Sequence, residues 1–141
     1  MNLPARISFV TLASRDIERM ARFYRQFGWP EAPSSDPEHV VFQCTNGVVL
    51  GLYGSHHYEG RHGPPAAGFR GFTLAVNVES LDEVQRAYDV VKEFDGVQDL
   101  DPPQREEWGG GFSFRDPEGN VWDVVWAEGS RIDERGGLLF P

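Results

Sequence analysis

The same order of parts occurs twice along this chain, and that repeat constrains the fold more than any other feature. Each copy runs strand, capped helix, then hairpin, with the two helices offset by roughly 65 residues. A glycine turn closes each hairpin, at Gly47 in the first copy and Gly119 in the second. A strand before a helix and a hairpin after it, repeated, predicts an α+β domain of two βαβββ modules. The modules are expected to form a curved mixed sheet around a cleft, with helices on the convex face.

In the first copy Ile7 to Ala13 alternates as a strand and stops at Ser14-Arg15-Asp16, where Ser14 or Asp16 can cap a helix. Ile17, Met20, Ala21, Tyr24 and Phe27 follow at helical spacing, and Gly28 supplies the stop. A Pro/Ser-rich link over residues 30–37 leads to a strand from His39 to Cys44. Asn46-Gly47 is a two-residue hairpin signal, and Val48 to Tyr53 is the return strand. In the second copy Phe69 to Val78 reads as a strand, and Ser80-Leu81-Asp82-Glu83 has the form of a capping box. Leu81, Val84, Ala87, Tyr88 and Val91 make the apolar stripe of the next helix, which Gly96 ends. A weaker strand is expected within residues 96–100. Phe112 to Arg115, the turn Asp116-Pro117-Glu118-Gly119-Asn120, and Val121 to Trp126 form the second hairpin. The layout is thus one domain over residues 1–141. Its halves lie at about 6–54 and 69–128, with a linking loop at 55–68 and an extension at 129–141.

A chain of 141 residues can build this core without disulfide or metal staples. Its net charge of -9 argues against a phosphate backbone as partner and favours a cationic ligand. Apolar runs such as Val48-Val49-Leu50 are too short to span a bilayer. The first residues lack a signal peptide's apolar stretch, so a cytoplasmic protein is expected. The single cysteine, Cys44, lies mid-strand; it excludes an internal disulfide and makes an unpromising nucleophile. Of 13 basic residues only Lys92 is lysine, a bias that points to a GC-rich bacterial genome.

Two segments carry a more specific signal. One runs from Val10-Thr11-Leu12 through Asp16 and Phe23-Tyr24 to Phe27-Gly28-Trp29. The other is Asp116-Pro117-Glu118-Gly119-Asn120-Val121-Trp122-Asp123. Together they resemble the vicinal oxygen chelate superfamily, which includes glyoxalase I, extradiol dioxygenases, fosfomycin resistance proteins and bleomycin-binding proteins. The resemblance covers about residues 6 to 128. It implies a fold that hosts many activities.

Enzymes of that superfamily typically hold a divalent metal through His or Glu on the first and last strands of each half. Carried over by motif, those positions are Phe9, Gly51, Thr73 and Asp123. Phe9 and Gly51 have no ligating side-chain atom, and a neutral threonine hydroxyl is a poor primary ligand. One carboxylate with waters holds a divalent ion weakly. A register shift of two supplies only Thr11, Val49, Tyr53 and Ala75. No pocket metal and no cofactor are therefore expected.

Strand alternation tests the faces independently. Phe9 shares a face with Ile7 and Thr11, Gly51 with Val49 and Tyr53, Thr73 with Gly71 and Ala75, and Asp123 with Val121 and Val125. The opposite face, Val10, Leu12, Leu50, Leu52, Phe72, Leu74, Val76, Trp122, Val124 and Trp126, is unbroken and apolar, as a helix-covered core should be. Asp123 is the only carboxylate on the mixed face. It reads either as a strand carboxylate bonded to Thr11 or Thr73, or as a ligand-binding or acid–base group. Trp108, ahead of the flexible run Gly109-Gly110-Gly111, would flank the pocket mouth and, with Phe9 and Tyr53, form an aromatic wall. His56, His57 and His62 sit in a Gly/Pro-rich segment with no evident frame. They read as a solvated loop, with a lid or a zinc site as the alternatives.

Three functions fit these residues. The first is a metal-independent protein binding a small organic molecule, cationic or aromatic, as in the bleomycin-resistance branch. The second is a metal-dependent lyase, isomerase or dioxygenase. The third is a metal-free enzyme using Asp123 as acid or base. A homodimer is expected, because open sheet edges need covering.

Overall fold

The computed structural model describes residues 2–141. It divides into two compact units, Met1–Pro65 and Ala66–Pro141. The first contains strand β1 (Phe9–Ser14), helix α1 (Ile17–Arg25), strands β2 (His39–Gln43) and β3 (Val49–Gly54), and helix α2 (His56–His62). The second contains β4 (Leu74–Asn77), α3 (Leu81–Val91), β5 (Gln104–Glu106), β6 (Gly109–Arg115), β7 (Val121–Ala127), β8 (Arg131–Ile132) and β9 (Leu138–Leu139).

The α+β class and the repeat are visible in the pairing. In the first unit β1 lies parallel to β3, and β3 lies antiparallel to β2. In the second β4 lies parallel to β7, and β7 antiparallel to β6. Both sheets are mixed, and in both the opening strand pairs with the closing one. The second sheet adds β5 at the far edge of β6. In the first unit that fourth strand shrinks to one bridge, Glu31 to Phe42, drawn from the Pro/Ser-rich link.

Both helices read from apolar spacing form as expected. Asp16, not Ser14, caps α1 by accepting a hydrogen bond from the Arg19 amide at 3.1 Å. Ser14 instead donates to the Leu12 carbonyl. Met20, Ala21, Phe23 and Tyr24 are buried, and α1 packs on β3. Ser80 caps α3 by accepting from the Glu83 amide at 3.1 Å, and α3 packs on β6 and β7 through Val84 and Val91. Of the apolar set inferred from alternation, Leu12, Leu50, Leu52, Trp122 and Val124 are each at most 5% exposed.

Four expectations are corrected. Residues 56–62 are helical, not loop. The strand expected from Phe69 is only Leu74–Asn77; Phe69 and Phe72 lie outside it and are exposed. The strand expected within 96–100 is a single bridge from Gln98 to Arg115, and the edge strand forms later, at β5. The strand expected from Phe112 begins earlier, because the glycine run that opens it is itself part of β6, with Gly109 and Gly110 buried. The extension forms the small β8–β9 ribbon. No helix among the described residues is long and apolar enough to cross a membrane.

Candidate functional site

The uncovered face of the second sheet is built by pairing. Ser113 lies opposite Asp123 and Gly111 opposite Val125 in the β6–β7 ladder, and Ala75 is the register partner of Asp123 on β4. Period-two alternation therefore puts Gly111, Ser113, Ala75, Asp123 and Val125 on one side, away from α3. A cavity of about 430 Å³ opens on that side.

Asp123 and Trp108 both line this cavity. The hydroxyl that meets Asp123 is neither Thr11 nor Thr73 but Ser113, whose Oγ donates to Asp123 Oδ1. The reason lies in the register. Thr73 falls one residue before β4, so the β4 residue facing Asp123 is Ala75, which has no donor. Thr11 lies on β1 beside Gly51, an exposed position of the other unit. Asp123 Oδ2 makes no hydrogen bond among the described residues.

Three lining groups carry no sequence motif. Asp101, Gln104 and Glu106 come from β5 and the segment before it. The Asp101 amide donates to the Ser113 carbonyl at 3.1 Å, which holds that segment alongside β6. The lining thus includes three acidic residues, Asp101, Glu106 and Asp123, and no basic one among the described residues. Half of the Trp108 surface is exposed at its edge.

In the first unit Phe9, Gly51 and Tyr53 come together. The Phe9 and Tyr53 rings meet edge to face, with centroids 5.9 Å apart. A Cβ built on Gly51 would lie 2.6 Å from Phe9 Cε1 and 3.0 Å from Tyr53 Cε1, so the Phe9 ring fills the space a side chain would take. Phe9 covers Gly51, Thr73 lies outside its strand, and Asp123 is bonded to Ser113.

Cys44 is half-buried, and desolvation pushes its thiol pKa up, which disfavours the thiolate a nucleophile needs. His56, His57 and His62 lie on α2. His56 and His57 face Glu38, while His62 stacks on Tyr58.

A model of the Glyoxalase/Bleomycin resistance protein/Dioxygenase superfamily matches residues 6–124. A glyoxalase-related enzyme from Fulvimarina pelagi superposes with a TM-score of 0.81 at 26% identity, covering 97% of this chain and 99% of its own. A glyoxalase/bleomycin resistance protein/dioxygenase family enzyme from Burkholderia phytofirmans PsJN gives 0.74 at 25% identity, over 87% and 99%. A lactoylglutathione lyase from Agrobacterium tumefaciens gives 0.66 at 20% identity, over 89% and 96%, a likeness of fold alone. None of the curated proteins matches the chain.

Proposed function

The chain belongs to the glyoxalase/bleomycin resistance protein/dioxygenase superfamily, and on that premise we propose that it binds a small cationic organic molecule without a pocket metal. The observation that carries this reading is the lining of the second unit's cavity, which includes Asp101, Glu106 and Asp123 and, among the described residues, no basic one. Like charges lining a concave site raise the potential that draws a cation in. The cavity volume falls in the range of small-molecule sites. Trp108 supplies a ring face on which a flat or cationic group gains cation–π attraction.

Asp123 is the fixed point of this site. Ser113 holds one of its oxygens, which sets the carboxylate's orientation and leaves the second oxygen for a ligand N–H. Replacing Asp123 by Asn keeps the shape and removes the charge. For a cationic aromatic ligand, affinity is expected to fall by about 1.5–3 kcal/mol, roughly 10- to 150-fold. A neutral isostere is expected to lose much less. A thermal-shift screen of cationic aromatic compounds, each paired with its neutral isostere, supplies the probes; titration of wild type and variant reads the difference. Equal affinities for a cationic hit would remove Asp123 from the ligand site. Following the same hit for turnover separates a binding protein from a metal-free enzyme using Asp123 as base.

The assembly we propose is a homodimer. β4 is an edge strand of its sheet, and Leu138, Leu139 and Phe140 expose apolar surface at the end of the chain. An open edge and an uncovered apolar ribbon are surfaces that a second copy covers by symmetry. Light scattering at micromolar concentration is expected to give twice the chain mass, and a persistent monomer would count against pairing.

A further inference from the structure

We propose that Glu38, His56 and His57 form a binding site for a divalent transition ion of the zinc class, sharing no residue with the pocket of the second unit. The Nε2 atoms of His56 and His57 both point at one carboxylate oxygen, Glu38 Oε2, at 3.4 Å and 3.6 Å. Those separations exceed the roughly 2.7–3.2 Å of a good N–H···O hydrogen bond. They match instead the edge of a coordination tetrahedron. Bonds of about 2.0–2.1 Å from zinc to imidazole nitrogen and carboxylate oxygen put neighbouring ligand atoms about 3.3 Å apart. One donor atom from each of the three residues lies within 4.8 Å of the others.

A second observation comes from Gly54. A Cβ built there would lie 2.6 Å from Glu38 Oε2, 2.8 Å from His56 Cε1 and 3.0 Å from His56 Nδ1. Only glycine lets the carboxylate and the imidazole close over the end of β3. The frame around them is fixed by backbone bonds. The Gly54 amide donates to the Glu38 carbonyl at 3.1 Å, and the Ser55 amide to the Ser14 carbonyl at 2.8 Å. Ser55 then opens α2, which carries both histidines. The His57 ring is backed by His39, stacked at 4.8 Å between centroids, and His39 Nδ1 lies 3.0 Å from the Asp36 carboxylate.

Two neutral imidazoles and one carboxylate form a donor set suited to zinc, nickel or copper rather than to magnesium or calcium. Three protein ligands leave the fourth tetrahedral position open. The side chains of Glu38, His56 and His57 all reach solvent, so that position is accessible to water or to an external donor.

The test is titration of the untagged, metal-stripped full-length protein with zinc, followed by cobalt(II), whose visible spectrum reports tetrahedral coordination. One zinc per chain is expected, with no uptake of magnesium or calcium. Glu38→Gln and His57→Ala are expected to weaken zinc binding by at least about ten-fold, since even residues that only orient ligands cost that much. Gly54→Ala should do the same by filling the space between Glu38 and His56, with circular dichroism confirming that the fold is kept. Asp123→Asn should leave uptake unchanged. Absence of saturable uptake, retention of full affinity in both Glu38→Gln and His57→Ala, or loss of uptake in Asp123→Asn would each overturn the assignment. Loss of uptake in Asp123→Asn would also put the metal in the pocket and overturn the metal-free reading there; the other results leave the cationic ligand of the pocket untouched, so the failures of the two proposals are told apart.

Discussion

Gly109→Ala is expected to lower the unfolding free energy by about 2–5 kcal/mol, combining steric overpacking with backbone strain. A Cβ at this position would sit 1.9 Å from the Trp126 carbonyl oxygen, 2.9 Å from the Trp126 carbonyl carbon and 3.2 Å from Ala127 Cα. All three are backbone atoms of the paired strand β7, so no side-chain rotation relieves the contact. The φ of +150° adds a conformation that L-residues rarely adopt. Relief requires β6 to move off β7 where Gly109 and Gly110 face Ala127 and Trp126. Gly47→Ala is the matched control, because Gly47 has positive φ and nothing within 4 Å of the built Cβ. It should lose only about 1 kcal/mol. Urea denaturation of both variants reads the contrast, and equal losses would mean that β6 and β7 are not so closely apposed at Gly109.

Asp116→Ala is expected to cost about 2–4 kcal/mol, the scale of stranding several buried donors at once. Asp116 is 0% exposed. Its Oδ1 accepts from the amides of Glu118 at 2.9 Å and Asn120 at 3.0 Å, and its Oδ2 accepts from Asn120 Nδ2 at 2.7 Å. Removing the carboxylate leaves those donors facing a void in the β6–β7 turn. Asn is not a benign replacement, since its NH₂ would face the Asn120 NH₂. Arg70 clasps the same turn from outside, donating to Asn120 Oδ1 and the Glu118 carbonyl. Guanidinium chloride denaturation, with ligand titration in parallel, checks both stability and the site. A loss below about 1 kcal/mol, the worth of a single ordinary hydrogen bond, would show that the turn does not depend on this carboxylate.

The parts of this fold that could be read from the sequence were those with a period. The stripe of α1, the cap at Ser80 and the two faces around Asp123 follow from spacings of 3.6 and 2, which local sterics impose wherever the segment folds. The partner of Asp123 was not legible, because it depends on which strand lies alongside β7 and in what register. That pairing brings Ser113 within reach and leaves Thr73 outside its strand. α2 was hidden for a different reason. Its seven residues include Gly60 and none is buried, so there is no apolar stripe to find. β5 was displaced from residues 96–100 because its partner is the glycine run. Gln104 to Glu106 pair with Gly109 to Gly111 across the tight turn at Glu107-Trp108. The acidic lining follows from that pairing, and no motif announces it.

The strand order β4-β7-β6-β5 has a consequence for how such a pocket can diversify. Asp123 rides on an interior strand, bonded to a neighbour on each side, and a change in its position would have to displace three strands together. Gln104 and Glu106 ride on the outermost strand, three residues long, with every side chain exposed. One jaw of the site is rigid and the other is cheap to alter. Under the proposed function, exchanging residues on β5 would retune which molecule is accepted, while Asp123 stays where the sheet holds it.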